Sequence, residues 1–241
     1  MSKHLTTCSW DEVPHLSADA KADLLKSYPP HMRDARSRGL PMLGSGAIYP
    51  VPESEITIAD FGLPKHWKRC FGMDPGWNYT AVVWIAQDPQ TNQLFVYSCF
   101  KQEKKVPAVH AAMIKARGAW IPGVIDPASA GHSQTDGKRV VDLYVEQGLK
   151  LSFADNSVDA GLYRCWELLE SGQLKVFASC LPFFMEYRNY CRDEKGNVVK
   201  RDDHIMDAFR YAVMSGVKIA CNEEPKRAFK LIEARGSGWE S

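Results

Sequence analysis

Apolar positions divide the chain into two unlike parts. From residue 69 onward, short apolar runs alternate with polar turns; before it, Pro, Ser and charged residues interrupt every run. CFGMD (70–74), YTAVVWIA (79–86) and LFVYSCF (94–100) have the length and the β-branched and aromatic content of strands. Their short connections, QDPQTNQ among them, predict an antiparallel meander. Strands and helices then alternate: helix PAVHAAMIKARG, strand PGVID, helix GKRVVDLYVEQG, strand LKLSFAD, helix VDAGLYRCWELLESG, and QLKVF as a short edge strand or extended link. FFMEYRNYCRDEKGNVVKRDD reads as a hairpin turning at EKGN, and HIMDAFRYAVMSGVKIA as a final helix. Three antiparallel strands followed by alternating strands and helices predict an α/β fold, a mixed sheet with helices on both faces.

Residues 1–68 read as an extended arm, 69–220 as the folded domain and 221–241 as a polar tail. Within the arm, LSADAKADLLKSY predicts a helix capped by Ser17, and PPHMRDARSRG a second one begun by Pro30 and ended by Gly39. LPMLGSGAIYPVPESEI is punctuated by Pro and Gly and reads as loop.

Composition narrows the class. The 241 residues are 45% hydrophobic and 24% charged, with net charge +1, so any basic surface must be local. No apolar run reaches the roughly 18 residues of a membrane helix. The N-terminal MSKHLTTCSW lacks the apolar core of a signal peptide, which makes the cytoplasm the default expectation. Seven scattered cysteines without C-x-x-C spacing suit reduced thiols better than a disulfide framework or zinc site.

The chemistry lies in the acids. RCFGMDPGW ends an apolar strand on Asp74, and IPGVIDPAS ends another on Asp126. Asp-Pro after a strand is also ordinary turn chemistry, as at Asp88-Pro89. Asp203 and Asp207 lie one helical turn apart, opposite Ile205, Phe209, Ala212, Val213 and Gly216. Taken alone, Asp202 or Asp203 could be the helix cap and Asp207 an acid favoured by the helix dipole. Together the three suggest more. If the strands ending at Asp74 and Asp126 are neighbours, their ends lie about 5 Å apart. Carboxylates converging there need a cation. An all-oxygen set suits Mg²⁺ or Mn²⁺, and two such ions support in-line phosphoryl displacement without a covalent nucleophile. Ser45, in GSGA, lacks the strand–turn–helix setting of a nucleophile.

Ahead of the final helix, Arg188, Arg192, Lys195, Lys200 and Arg201 interleave with Tyr187 and Tyr190. The pattern suits a nucleic-acid backbone, or simply a solvated hairpin. FKQEKK (100–105) is a weaker basic patch that reads as plain surface.

The order GMDPGW, meander, GVIDPAS and DDHIMDAFRYA resembles the RNase H-like nuclease domain of tailed-phage terminase large subunits, over about residues 69–220. D-H-x-x-D-A-x-R-Y is its most specific element. Holliday-junction resolvases share the fold and a similar ending. CSWDEVPHLS, SYPPHMRDARSRG and GSGAIYPV resemble the stretch leading from a terminase ATPase domain into its nuclease, which favours terminase over resolvase.

The resemblance implies a metal-dependent endonuclease cutting concatemeric double-stranded viral DNA, with Asp74, Asp126 and Asp207 as metal-binding aspartates. Asp203 and His204 fall where related nucleases carry accessory groups, and Asp155, in FADN, is an outside candidate or a turn residue. The implied partners are a packaging ATPase, the portal and the small terminase subunit, at the procapsid in the host cytoplasm. No G-x-x-x-x-G-K-[ST] loop is present, so ATP hydrolysis is not expected of these residues. The rival readings are a junction resolvase and a non-catalytic module that docks on DNA or the portal.

Overall fold

In the computed structural model, residues 9–13, 15–27, 37, 46–131, 139–193 and 196–223 are described. The elements are α1 (Ala18–Ser27), α2 (Glu53–Ile56), β1 (Thr57–Ile58), β2 (Lys68–Asp74), β3 (Tyr79–Gln87), β4 (Leu94–Glu103), α3 (Pro107–Lys115), β5 (Gly123–Ile125), α4 (Val140–Glu146), β6 (Leu151–Phe153), α5 (Val158–Glu170), β7 (Leu174–Phe177), α6 (Leu181–Tyr187) and α7 (His204–Tyr211). After α7 the helix widens into a π turn at Ala212–Gly216 and closes with Val217–Ile219.

One seven-stranded sheet runs β1-β7-β4-β3-β2-β5-β6. The predicted meander is its centre, with β2–β3 and β3–β4 antiparallel. β5 pairs parallel with β2, and β6 with β5. Alternating side chains feed two cores. On one face, Cys70, Ala81, Val83 and Ile85 pack with α5, α6 and α7. On the other, Phe71, Met73, Val82 and Trp84 pack with α3 and α4.

The approach of α7 to β2 positions the acids. A Cβ on Gly72 would stand 2.1 Å from the Ala208 carbonyl oxygen and 2.6 Å from the Ala212 nitrogen. Only glycine lets the two backbones lie that close. Asp74 is two residues on and therefore faces α7. Val124 packs with Tyr211 of α7, so Asp126, two residues further, faces the same way.

Three expectations change. QLKVF is interior rather than an edge, because it pairs parallel with both β4 and β1. β1 comes from the arm, as do the buried Tyr49, Val51, Ile56 and Trp67. FFMEY belongs to α6, and the hairpin shrinks to one antiparallel bridge, Arg192 with Val198. Proline at the start of LPFFMEY suits a helix's first turn, and Phe183, Phe184 and Tyr187 bury one face of it. Ser17 caps α1 as expected, its Oγ accepting from Ala20 N at 3.2 Å. The second arm helix lies outside the described residues. The described cysteines are all free thiols. Among the described residues no helix is long and apolar enough to cross a membrane.

Candidate active site

The β2–β5 register brings two acids together. Met73 pairs with Ile125, and Asp126 N donates to the Met73 carbonyl at 3.1 Å. The strands thus run side by side up to Asp74 and Asp126, at the spacing of about 4.8 Å that adjacent strands keep. Asp207 reaches the same edge from the first turn of α7.

Each acid has a distinct environment. Asp74 Oδ2 lies 2.8 Å from His204 Nδ1. Burial raises the Asp74 pKa, the His204 contact opposes that, and the charges of Asp207 and Asp126 add to the rise. The bond to Asp74 raises the His204 pKa in turn, against its burial. The His204 ring lies 5.5 Å from that of Tyr79. Asp126 Oδ1 accepts from Ala128 N at 3.1 Å, and among the described residues Asp126 makes no ion pair.

Asp207 is held from two sides, with Oδ1 2.9 Å from Arg210 Nη2 and Oδ2 3.1 Å from Lys200 Nζ. Arg210 is 1% exposed, and its guanidinium lies 4.6 Å from the Tyr211 ring centroid. Burial works against its charge, but Asp207 outweighs it and raises the pKa. Lys200 follows the same logic: burial opposes its charge, and Asp207 and Asp203 more than compensate.

Asp203 occupies the N-cap position of α7, yet its side chain makes no capping bond. Its Oδ2 instead lies 3.1 Å from Lys200 Nζ, an ion-pair distance without hydrogen-bond alignment. The cap comes from a distant residue. Glu186 Oε2, on α6, accepts from Ile205 N at 2.7 Å and Met206 N at 3.4 Å. Lys101 Nζ holds the other Glu186 oxygen at 2.8 Å.

Sequence reasoning passed over four participants. Arg210 and Tyr211 stand inside the D-H-x-x-D-A-x-R-Y run, where the i, i+3 spacing from Asp207 to Arg210 was the available signal. Tyr211 faces all three acids: burial, then the charges of Asp126, Asp207 and Asp74, push its phenol up. Asn156 Oδ1 accepts from Arg210 Nη2 at 3.3 Å and Tyr211 OH at 3.4 Å. Neither Asn156 nor Glu186 has a local signal, since both act across more than 15 residues of sequence. Asp155 makes a turn, its Oδ1 accepting from Ser157 N at 2.9 Å.

The basic stretch is dispersed. Arg188 forms a two-point pair with Glu53, at 2.6 and 2.7 Å. Arg192 bonds the Gly196 carbonyl and Asp159. Arg201 lies 3.9 Å from Asp202, and Lys195 lies outside the described residues. Tyr187 and Tyr190 are buried at 7% and 2% exposure, so their alternation with basic positions is core packing rather than a stacking platform.

Among the described residues, no three acidic, His or Cys side chains form a ready-made ion cage. The donor chemistry nevertheless fits hard divalent ions: three carboxylates at one edge, Asp126 without an ion pair among the described residues, and Lys200, Arg210 and the His204 ring already drawn to the other two.

The chain matches the terminase RNaseH-like domain family over residues 71–215. It is 31% identical over 211 residues to the terminase large subunits of Enterobacteria phage LP7 and Salmonella phage P22. Those alignments cover 84% of this chain but 44% and 42% of the relatives, so the chain spans less than half their length. The nuclease domain of the P22 large terminase superposes with a TM-score of 0.68 at 29% identity, covering 74% of this chain and 96% of that one.

Proposed function

The chain belongs to the terminase RNaseH-like domain family, and on that premise we propose that it is a divalent-metal-dependent endonuclease that cuts concatemeric double-stranded DNA during viral genome packaging. One observation carries the reading: adjacent parallel strands end on Asp74 and Asp126, and the helix packed against them through Gly72 supplies Asp207.

These three aspartates would hold the metal, Mg²⁺ or Mn²⁺, as a pair of ions. Metal bound there would supply a lowered pKa for an attacking water and charge stabilisation for the leaving 3′-oxygen. The protein's own groups do the rest. Arg210 and Lys200 hold the Asp207 carboxylate in place from two sides, and Asn156 fixes the Arg210 fork. His204, anchored on Asp74, is placed to position a water or a substrate phosphate. Glu186 caps the helix that displays Asp207, which leaves Asp203 available beside Lys200. The packaging ATPase, portal and small terminase subunit would deliver the DNA in the host cell.

Supercoiled plasmid incubated with Mn²⁺ or Mg²⁺ tests this. The protein should nick and linearise it, and Asp126→Ala should abolish cleavage while leaving the melting temperature near that of wild type. Cleavage retained by Asp126→Ala would refute the site. Metal-independent binding without any cleavage would instead support a passive assembly module, and strong preference for four-way junctions a resolvase.

A further inference from the structure

Trp77 is 87% exposed, a large departure for a residue type that buries 150–250 Å² when packed, by general estimate. It sits in the short turn between β2 and β3, three residues after Asp74. At no more than about 3.6 Å per residue, its Cα lies within about 11 Å of that of Asp74, or roughly three base-pair steps of 3.4 Å.

The turn holds Trp77 out rather than letting it fold back. Pro75 fixes one backbone angle just after Asp74. Thr80 Oγ1 donates to the Gly76 carbonyl at 3.2 Å, and a Cβ on Gly76 would stand 2.6 Å from the Tyr79 carbonyl oxygen. Lys104 N donates to the Asn78 carbonyl at 3.2 Å. That bond brings the end of β4 alongside the turn, with Lys104 and Lys105 both exposed. FKQEKK, which reads as plain surface in the sequence, therefore flanks an exposed indole at the edge of the acid cluster.

We propose that Trp77, with Lys104 and Lys105, forms a DNA-binding site beside the acids. The indole packs on a sugar or base within about three base pairs of the cut, and the lysines contact neighbouring phosphates. The inference rests on the nuclease reading for the identity of the ligand. It assigns the contact to the β2–β3 turn rather than to the basic stretch before α7, whose arginines are paired within the protein.

Two readouts on the full chain test it: plasmid cleavage in Mn²⁺, and anisotropy of a fluorescein-labelled linear duplex without metal over a range of salt. Trp77→Ala should weaken duplex binding and raise KM about tenfold with kcat kept, and Trp77→Phe should restore most of the loss. Lys104→Ala with Lys105→Ala should flatten the salt slope by about 2. Melting temperatures should not move, because these side chains are exposed. If wild type cuts or binds DNA and Trp77→Ala matches it in KM and affinity, the inference is wrong while the nuclease reading stands. If wild type binds but never cuts, and Trp77→Ala binds weakly, the nuclease reading fails and the DNA contact survives. If wild type neither cuts nor binds, both fall.

Discussion

Arg210 and Lys200 both pair with Asp207, but burial separates their contributions. The Arg210 side chain is 1% exposed and that of Lys200 61% exposed. Removing a buried partner strands the other charge, at a cost of about 3–5 kcal/mol, whereas an exposed pair contributes about 0–1 kcal/mol. Arg210→Met should therefore lower urea-denaturation stability by several kcal/mol, and Lys200→Ala should leave it nearly unchanged. Equal losses would mean that Asp207 is more solvated than its 14% side-chain exposure implies. Legibility at this scale follows backbone distance. Asp74, Asp126 and Asp207 are readable because each ends a strand or opens a helix, where sequence periodicity changes. Glu186 and Asn156 are not, because a carboxylate capping one helix from another, and a loop amide bracing a distant arginine, leave no trace in either local pattern.

At the scale of elements, the contact between α7 and β2 is made by backbone. Gly72→Ala must push the two apart, since the added carbon would stand 2.1 Å from a carbonyl that cannot rotate away. The variant should lose cleavage and unfold at lower denaturant, and a wild-type rate would show that the acids tolerate a displaced helix. A second contact sets a pH dependence. His110 of α3 is 1% exposed, with Nδ1 3.0 Å from Tyr144 OH of α4 and Nε2 without a partner among the described residues. Burial lowers its pKa, so the folded protein favours the neutral ring. The unfolded chain takes up its proton near pH 6.5, before the folded protein does. This stabilisation is thus complete above about pH 6.5 and is lost as pH falls toward the depressed folded value. His110→Phe should show a smaller drop in melting temperature between about pH 7.5 and 5.5 than wild type. An identical drop would place the acid sensitivity elsewhere. The meander and the alternating segments were legible because their periods of two and 3.6 are strong. α6 was misread because aromatic FFMEY carries strand propensity that tertiary packing overrides.

For the molecule as a whole, the question is where its core begins. Composition separates residues 1–68 from the rest, since the segment is rich in Pro and charge, and that contrast suggests an arm. The fold uses its second half differently. Tyr49 stacks on Tyr187 with ring centroids 6.0 Å apart, and Tyr187 OH donates to the Val51 carbonyl at 2.8 Å. Ile56 is fully buried, β1 covers β7, and Arg188 is tied to Glu53. None of this is periodic, because each side chain fills a separate gap left by the later elements, so sequence pattern could not report it. Tyr49, Val51, Ile56 and Trp67, at about 1.5–3 kcal/mol each, sum to about 6–12 kcal/mol. A whole domain retains about 5–15 kcal/mol. A protein begun at residue 69 should therefore fail to show a cooperative thermal transition. If the shorter protein melts cooperatively at the same temperature as the full chain, residues 46–68 pack on a domain that is complete without them.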